Sequence, residues 1–239
     1  MNEIVILLDK YKDSIQEVRG RLRLSPSGHT PEIYTLTMSM KHRIELIQHT
    51  HENIRRFDWN KLCNFDFFKN KEGKVSQELD GINVVFNDEK AMNNFMALSL
   101  LSIVTLCTAL IDSLALLFNY SFYLGVEKYY AIEQIQDKIP IDLVRTKVKE
   151  EISENKDYRE LKRIRKLLLH FDHSSIISYS HEYSEAGPFV RHAGVWCIKD
   201  NLLQGVDGNQ RTVPAYCDFI YTKISKSLKD ILTITLTPR

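Results

Sequence analysis

One segment of the chain concentrates the side chains that could act on a phosphodiester. From Lys156 to His170 there are six lysines or arginines and only two acidic residues, although the whole chain of 239 residues has a net charge of only +1. Imidazole exchanges a proton near neutral pH, and guanidinium binds phosphate oxygens through paired hydrogen bonds. These two groups therefore suffice for metal-free cleavage of RNA, in which the 2′-hydroxyl is the nucleophile.

Helical spacing decides which of these residues could act together. At about 100° per residue, four of them share one side of a helix: Arg159, Arg163, Lys166 and His170. Arg165 would lie about 140° from His170 on the same helix. The two side chains approach each other only if the helix loosens before the histidine, or if a second subunit completes the site. The alternative interpretation is a solvated basic face with a histidine at the helix C-terminus, where a cation is favourable.

The apolar residues of the same segment predict how this helix packs. A core stripe is expected from four residues at helical spacing: Leu161, Ile164, Leu168 and Phe171. Leu167 and Leu169 widen the apolar surface beyond one stripe. This indicates a second packing face, such as the surface of a dimer partner.

The elements that position the segment are predicted to be mainly helices. Glycine (9) and proline (6) are scarce, which disfavours a sandwich or barrel of many short strands. Apolar periodicity predicts helices over these ranges: 3–19, 41–57, 89–118, 141–153, 157–173 and 213–232. A short strand is expected at 82–86, and residue alternation predicts a β-hairpin or irregular extension within 174–211.

These elements predict an all-α fold, an antiparallel helical bundle in a single domain that spans residues 1–239. Its core is expected to comprise about 87–173 and the C-terminal helix 213–232. The N-terminal helices within 3–57 would pack on that core. Internal repeats, low-complexity tracts and linker-like stretches are absent from the sequence.

The uncharged stretch Ala91–Ile111 is long enough, at 21 residues, to be considered as a membrane span. Small polar residues recur along one of its faces, and that face ends at Asp112, whose carboxylate would be costly in lipid. We interpret the stretch as the central buried helix of a soluble bundle without membrane attachment.

The cysteines and the N-terminal residues bear on compartment and cofactors. Cys63, Cys107, Cys197 and Cys217 form no CxxC pair, which predicts reduced thiols and no metal site. The first residues lack the basic region and the small-residue cleavage site of a signal peptide. The expectation is a cytoplasmic protein with no metal and no cofactor.

The stretch Leu161–Phe171, LKRIRKLLLHF, resembles the signature helix of the HEPN superfamily (higher eukaryotes and prokaryotes nucleotide-binding domains). That family carries an arginine followed after a few residues by a histidine, late in an all-helical bundle. The preceding sequence Asp112–Leu117, DSLALL, is also similar to the long apolar helix that these domains place before the motif. The resemblance covers about residues 87–175, and the layout is closest to a bacterial branch of the family.

The resemblance implies a metal-independent endoribonuclease whose two motif helices meet across a homodimer. Arg165 and His170 would be the catalytic pair, and Arg163 is the second choice for the arginine. Phosphate or RNA contacts would come from the other polar residues of the segment: Arg163, Lys166, Arg159 and His173.

The same family includes modules without catalytic activity. Active members usually have a small polar residue after the motif arginine, where this chain has Lys166. The alternative is therefore a non-catalytic HEPN module that binds RNA, a nucleotide or a protein partner such as an antitoxin.

Three further sets of residues have less specific interpretations. His173 is better read as a helix C-terminal cap than as a second proton carrier. His51 lies on an apolar helical stripe and is expected to be a satisfied core histidine rather than a metal ligand. Trp59 and the aromatic residues of Phe65–Phe68 are expected to pack against the bundle. The alternative is a surface on which bases stack.

Overall fold

The computed structural model describes the chain except at these positions: 26–27, 60, 62–64, 80, 127–130, 171–176, 185–186, 196–210 and 238–239. The helices are α1 (Asn2–Arg21), α2 (Thr30–Arg56), α3 (Phe65–Phe68), α4 (Glu89–Phe122), α5 (Ile132–Ile135), α6 (Asp142–Val148), α7 (Lys156–His170) and α8 (Val213–Leu236). The strands are β1 (Val75–Leu79), β2 (Ile82–Phe86), β3 (Ile177–Ser184), β4 (Gly187–Val195) and β5 (Arg211–Thr212). A 3₁₀ turn, Gln136–Lys138, follows α5, and a π turn, Lys149–Ser153, follows α6.

The prediction of an all-α bundle with a small hairpin is confirmed. Strands β3 and β4 form an antiparallel hairpin in the segment where alternation had indicated one, with Ile177 opposite Val195. The expected strand at 82–86 is β2, and its partner β1 was not foreseen. β1, with the sequence VSQEL, has only a weak strand pattern, and it forms because β2 offers it a complete antiparallel register.

Two helices differ from the sequence prediction at their ends. Helix α2 begins at Thr30, well before the expected residue 41. Pro31 does not prevent this, because the first helical turn needs no backbone N–H donor. The helix expected at 141–153 is α6 followed by the π turn, in which the Glu154 N–H donates to the Lys149 carbonyl at 2.9 Å.

Backbone proximity divides the chain into two compact units, each built from separated segments. The first comprises 1–48, 106–159 and 221–239, and the second comprises 49–105 and 160–220. The unit boundaries therefore fall inside α2, α4, α7 and α8. That the whole chain forms one domain stays a prediction.

In the first unit, α1 buries one apolar face at helical spacing: Ile4, Leu8, Tyr11, Ile15 and Val18. The same face continues into Arg19, which is fully buried. Its guanidinium donates to the carbonyl oxygens of Tyr120 and Ser121, each at 2.8 Å, and of Gly28 at 2.7 Å. The carbonyl groups in the last turn of a helix lack partners within that helix, so the C-terminal end of α4 compensates the buried cation.

Tyr123, just after α4, contacts the described residues between α1 and α2. Its hydroxyl donates to the Ser25 carbonyl at 2.9 Å. A Cβ atom at Gly28 would lie 2.1 Å from that hydroxyl oxygen, so glycine is the residue that fits beneath the ring. These contacts place Ser25 and Gly28 beside Tyr123, which follows the end of α4.

In the second unit, aromatic rings pack between the end of α2, the β1–β2 hairpin and α4. Phe95 lies 4.5 Å from Phe57 and 5.4 Å from Phe86, measured between ring centroids. The Trp59 indole N–H donates to the Ile54 carbonyl at 2.6 Å, which confirms that this aromatic residue tucks onto the bundle. His51 is 7% exposed, and its Nε2 lies 2.5 Å from Asp218 Oδ1, as expected for a satisfied core histidine.

Helix α4 is the most apolar element. Within the described residues it alone is long and apolar enough to cross a membrane, with a mean hydropathy of 2.2 in its most apolar window. Of that window, 61% is buried inside the protein, as in the core helix of a bundle. Cys107 lies in this helix, and burial raises the pKa of its thiol to about 12, so it stays protonated and unreactive at neutral pH.

Candidate nucleic-acid interface

Helix α7 starts from a defined cap. The side-chain oxygen of Asn155 accepts a hydrogen bond from the Asp157 N–H at 2.9 Å, which satisfies one of the unpaired donors of the first turn. The carboxylate of Asp157 favours this end of the helix electrostatically and lies 3.4 Å from the Lys223 ammonium. The cap and the ion pair therefore stabilise the first turn of α7.

The packing face of α7 matches the expected stripe in its first half. Tyr158, Leu161 and Ile164 are buried, and Leu168 is partly buried. Leu169 is 50% exposed, in keeping with an apolar surface that extends beyond the core stripe. Phe171 lies outside the described residues.

The opposite face of α7 carries the basic residues. We call the set Arg159, Arg163, Lys166 and His170 the α7 ridge. Arg159, Lys166 and His170 are exposed, and Arg163 is partly exposed. Because all four belong to one continuous helix, their alignment follows from helical geometry alone, within about 60° around the axis. In the described part of the chain, Lys166 and His170 make no hydrogen bond or ion pair.

Lys166 and His170 are neighbours on the ridge, since residues four apart on a helix have Cβ atoms about 5–6 Å apart. Arg163 lies about 20° from His170 around the axis and about 10 Å from it along the axis. This arrangement can present a proton carrier beside a fixed positive charge. It can also contact successive phosphates of a polynucleotide backbone.

Arg165 points to another side of the helix. It is partly buried, and α7 continues without a break to His170. The separation of Arg165 and His170 therefore remains about 140° around the axis and about 7.5 Å along it. The helix does not loosen before the histidine, so within one chain α7 itself does not bring this pair together. A second copy is the remaining way to unite them.

Arg159 is anchored to the turn that precedes the helix. Its Nε donates to the Ser153 carbonyl at 3.1 Å. Ser153 is buried and closes the π turn, and its hydroxyl donates to the Gln136 side-chain oxygen. The predicted ranges 141–153 and 157–173 placed a break between two helices here, but they indicated neither the π turn nor the roles of Ser153 and Gln136. These depend on contacts between separate turns, for which the sequence carries no local signal.

The remaining sequence expectations concern metal and cap residues. Among the residues that the structure describes, no group of three or more histidine, cysteine, aspartate or glutamate side chains could hold a metal ion. Cys107 and Cys217 are buried free thiols. His173 lies outside the described residues.

Comparisons with known proteins give no family for this chain. No family model matches it, and it has no match among curated proteins or solved structures. The chemistry of α7 and the resemblance of its motif are therefore the features that indicate a function.

Proposed function

We propose that this protein binds RNA through the α7 ridge and that two copies together form a metal-independent endoribonuclease of the HEPN type. The observation that carries this proposal is the alignment of three exposed side chains, Arg159, Lys166 and His170, opposite the buried face of one helix. In a chain with nearly balanced charge, such local clustering is what attracts a polyanion. RNA is preferred over DNA because its 2′-hydroxyl supplies the nucleophile that an Arg–His pair lacks.

In the proposed reaction, the His170 imidazole removes the proton from the attacking 2′-hydroxyl as the new O–P bond forms. The bond from phosphorus to the 5′-oxygen of the next nucleotide breaks, and that oxygen takes a proton from solvent water. The products are a 2′,3′-cyclic phosphate and a 5′-hydroxyl, and the His170 imidazolium then releases its proton to solvent. The Arg165 guanidinium of the second copy stabilises the added negative charge on the phosphorus oxygens. Lys166, one turn before His170, binds the neighbouring phosphate of the RNA backbone as a point charge.

A non-catalytic RNA-binding module is the second candidate, and one observation favours it. Arg165 and His170 diverge on an unbroken helix, so a monomer has the binding ridge without the paired catalytic groups.

Cleavage of single-stranded and structured RNA in excess EDTA tests the proposal. We expect the wild-type protein to cleave and His170→Ala to lose cleavage while retaining binding. Lys10→Ala, which removes one exposed charge from α1, is the matched control and should behave as wild type. Binding without cleavage by the wild-type protein supports the non-catalytic module. A protein that neither binds nor cleaves RNA contradicts both candidates.

A further inference from the structure

The members of the α7 ridge differ in how they are held. Lys166 and His170 extend from the helix without a described partner, whereas Arg159 is tied through its Nε to the Ser153 carbonyl. A guanidinium has five N–H donors, and this bond uses only the one nearest the aliphatic stem. In the described part of the chain, its terminal Nη groups make no other bond. They form the planar pair that matches two oxygens of one phosphate.

The acceptor of this bond is itself fixed. Ser153 is the last residue of the π turn, and it is buried. Its hydroxyl donates to Gln136 in the preceding 3₁₀ turn. The same two turns are joined a second time, because Lys149 Nζ lies 2.6 Å from Asp137 Oδ1. The Ser153 carbonyl therefore belongs to a pair of turns that two side-chain contacts hold together.

The π turn explains why a carbonyl is available at this position. In an α-helix the Ser153 carbonyl would accept from a backbone N–H four residues later. Here the Glu154 N–H closes a wider ring to Lys149, and α7 restarts from the Asn155 cap. Single π turns are frequent at functional sites.

We propose that Arg159 is a pre-positioned phosphate clamp of the RNA-binding ridge, and that Ser153 and Gln136 are its positioning residues. This inference rests on the proposed function. A long side chain that is already ordered loses less conformational freedom on binding, so its guanidinium contributes more than an untethered cation on the same helix. Arg159 would thus set the register of the RNA backbone along α7.

The test measures fluorescence anisotropy of a labelled 2′-O-methyl oligouridine, which cannot be cleaved, over a series of salt concentrations. Arg159→Lys keeps the charge but removes the Nε tether and the planar pair. We expect its affinity to fall about 2- to 12-fold, the range that ordering one long side chain represents, with an unchanged salt slope. Arg159→Ala should also reduce the magnitude of the salt slope by about 0.7, as expected for one lost phosphate contact on a single strand.

The positioning role is tested by a double-mutant cycle. Ser153→Ala and Gln136→Ala should weaken binding in the wild-type background and have no further effect when Arg159 is alanine. In a Lys166→Ala background their effects should remain in full, and thermal unfolding checks that each variant is folded.

The outcomes separate this inference from the proposed function. If Lys166→Ala weakens binding but Arg159→Lys binds as wild type, the clamp is refuted and RNA binding by the ridge stands. If Ser153→Ala weakens binding equally with and without Arg159, its role is structural and the positioning inference is overturned. If the wild-type protein does not bind the probe, the proposed function fails and the clamp fails with it.

Discussion

Helix α7 holds Arg165 and His170 on different sides of one helix. In the proposed two-copy site, a variant that lacks either residue should therefore be rescued by a variant that lacks the other. The separation of about 140° and about 7.5 Å follows from five residues of unbroken helix. If two copies pair around a twofold axis, each cleavage site takes its histidine from one copy and its arginine from the other. Arg165→Ala and His170→Ala would each inactivate both sites of their own homodimer.

The mixed dimer has a different composition. One of its sites contains Arg165 from the His170→Ala chain and His170 from the Arg165→Ala chain, and the other site contains neither residue. Co-expression with two different affinity tags, followed by sequential purification, isolates this mixed dimer. We expect it to cleave RNA in EDTA at about half the wild-type rate, since one of two symmetric sites is intact.

Two results would refute this reasoning. A mixed dimer as inactive as its parents would mean that the pair does not act across two chains. An Arg165→Ala homodimer with wild-type activity would exclude Arg165 and leave Arg163, on the same face as His170, as the relevant arginine. Two differently tagged His170→Ala chains, purified in the same design, are the control, and they should give no rescue because neither of their sites contains His170.

Three further predictions concern stability. Phe57→Ala should lower the free energy of unfolding by about 3–5 kcal/mol in urea titrations, because it opens a cavity beside Phe95; a loss below about 1 kcal/mol would contradict this packing. Arg19→Met should lower the free energy of unfolding more than Arg21→Met in the same assay. The first substitution leaves three backbone carbonyls without their donor, whereas Arg21 is exposed; equal losses would argue against the buried contacts. Partial burial raises the pKa of Glu151, but hydrogen bonds from Lys147 and Ser227 outweigh it, so the pKa lies below its ordinary value of 4.5. Glu151→Gln should therefore destabilise at neutral pH, and the difference from wild type should shrink as the pH falls below about 4.5 in thermal unfolding; a difference that persists in acid would refute the ion pair.

Features that depend on local periodicity could be predicted from the sequence. The bounds of α1, α4 and α8 follow closely from apolar spacing, because a helix that packs on one side must repeat its apolar residues every three to four positions. Strand β2 was located for a related reason, since its β-branched residues are bounded by turn residues. The start of α2 was missed, because residues 31–40 carry a proline and several small polar residues that weaken the pattern.

The same distinction between local and tertiary features applies to the candidate site. The alignment of Arg159, Lys166 and His170 was readable from spacing, because it requires only that α7 be one helix. The partial burial of Arg165 was not readable, since it depends on what packs around the helix. His51 was correctly expected in the core, but its partner Asp218 is distant in the chain and no local pattern connects the two.

By itself, the sequence determined the helical class of this protein and the basic face of α7, because both arise from the period of the α-helix. Only the tertiary structure decided that Arg19 is buried against the end of α4 and that β1 pairs with β2. The tertiary structure also decided that Arg159 donates to a π turn that is itself bonded to the preceding 3₁₀ turn. Each of these features joins backbone or side-chain groups whose hydrogen-bonding needs are met only when separate segments of the chain come together.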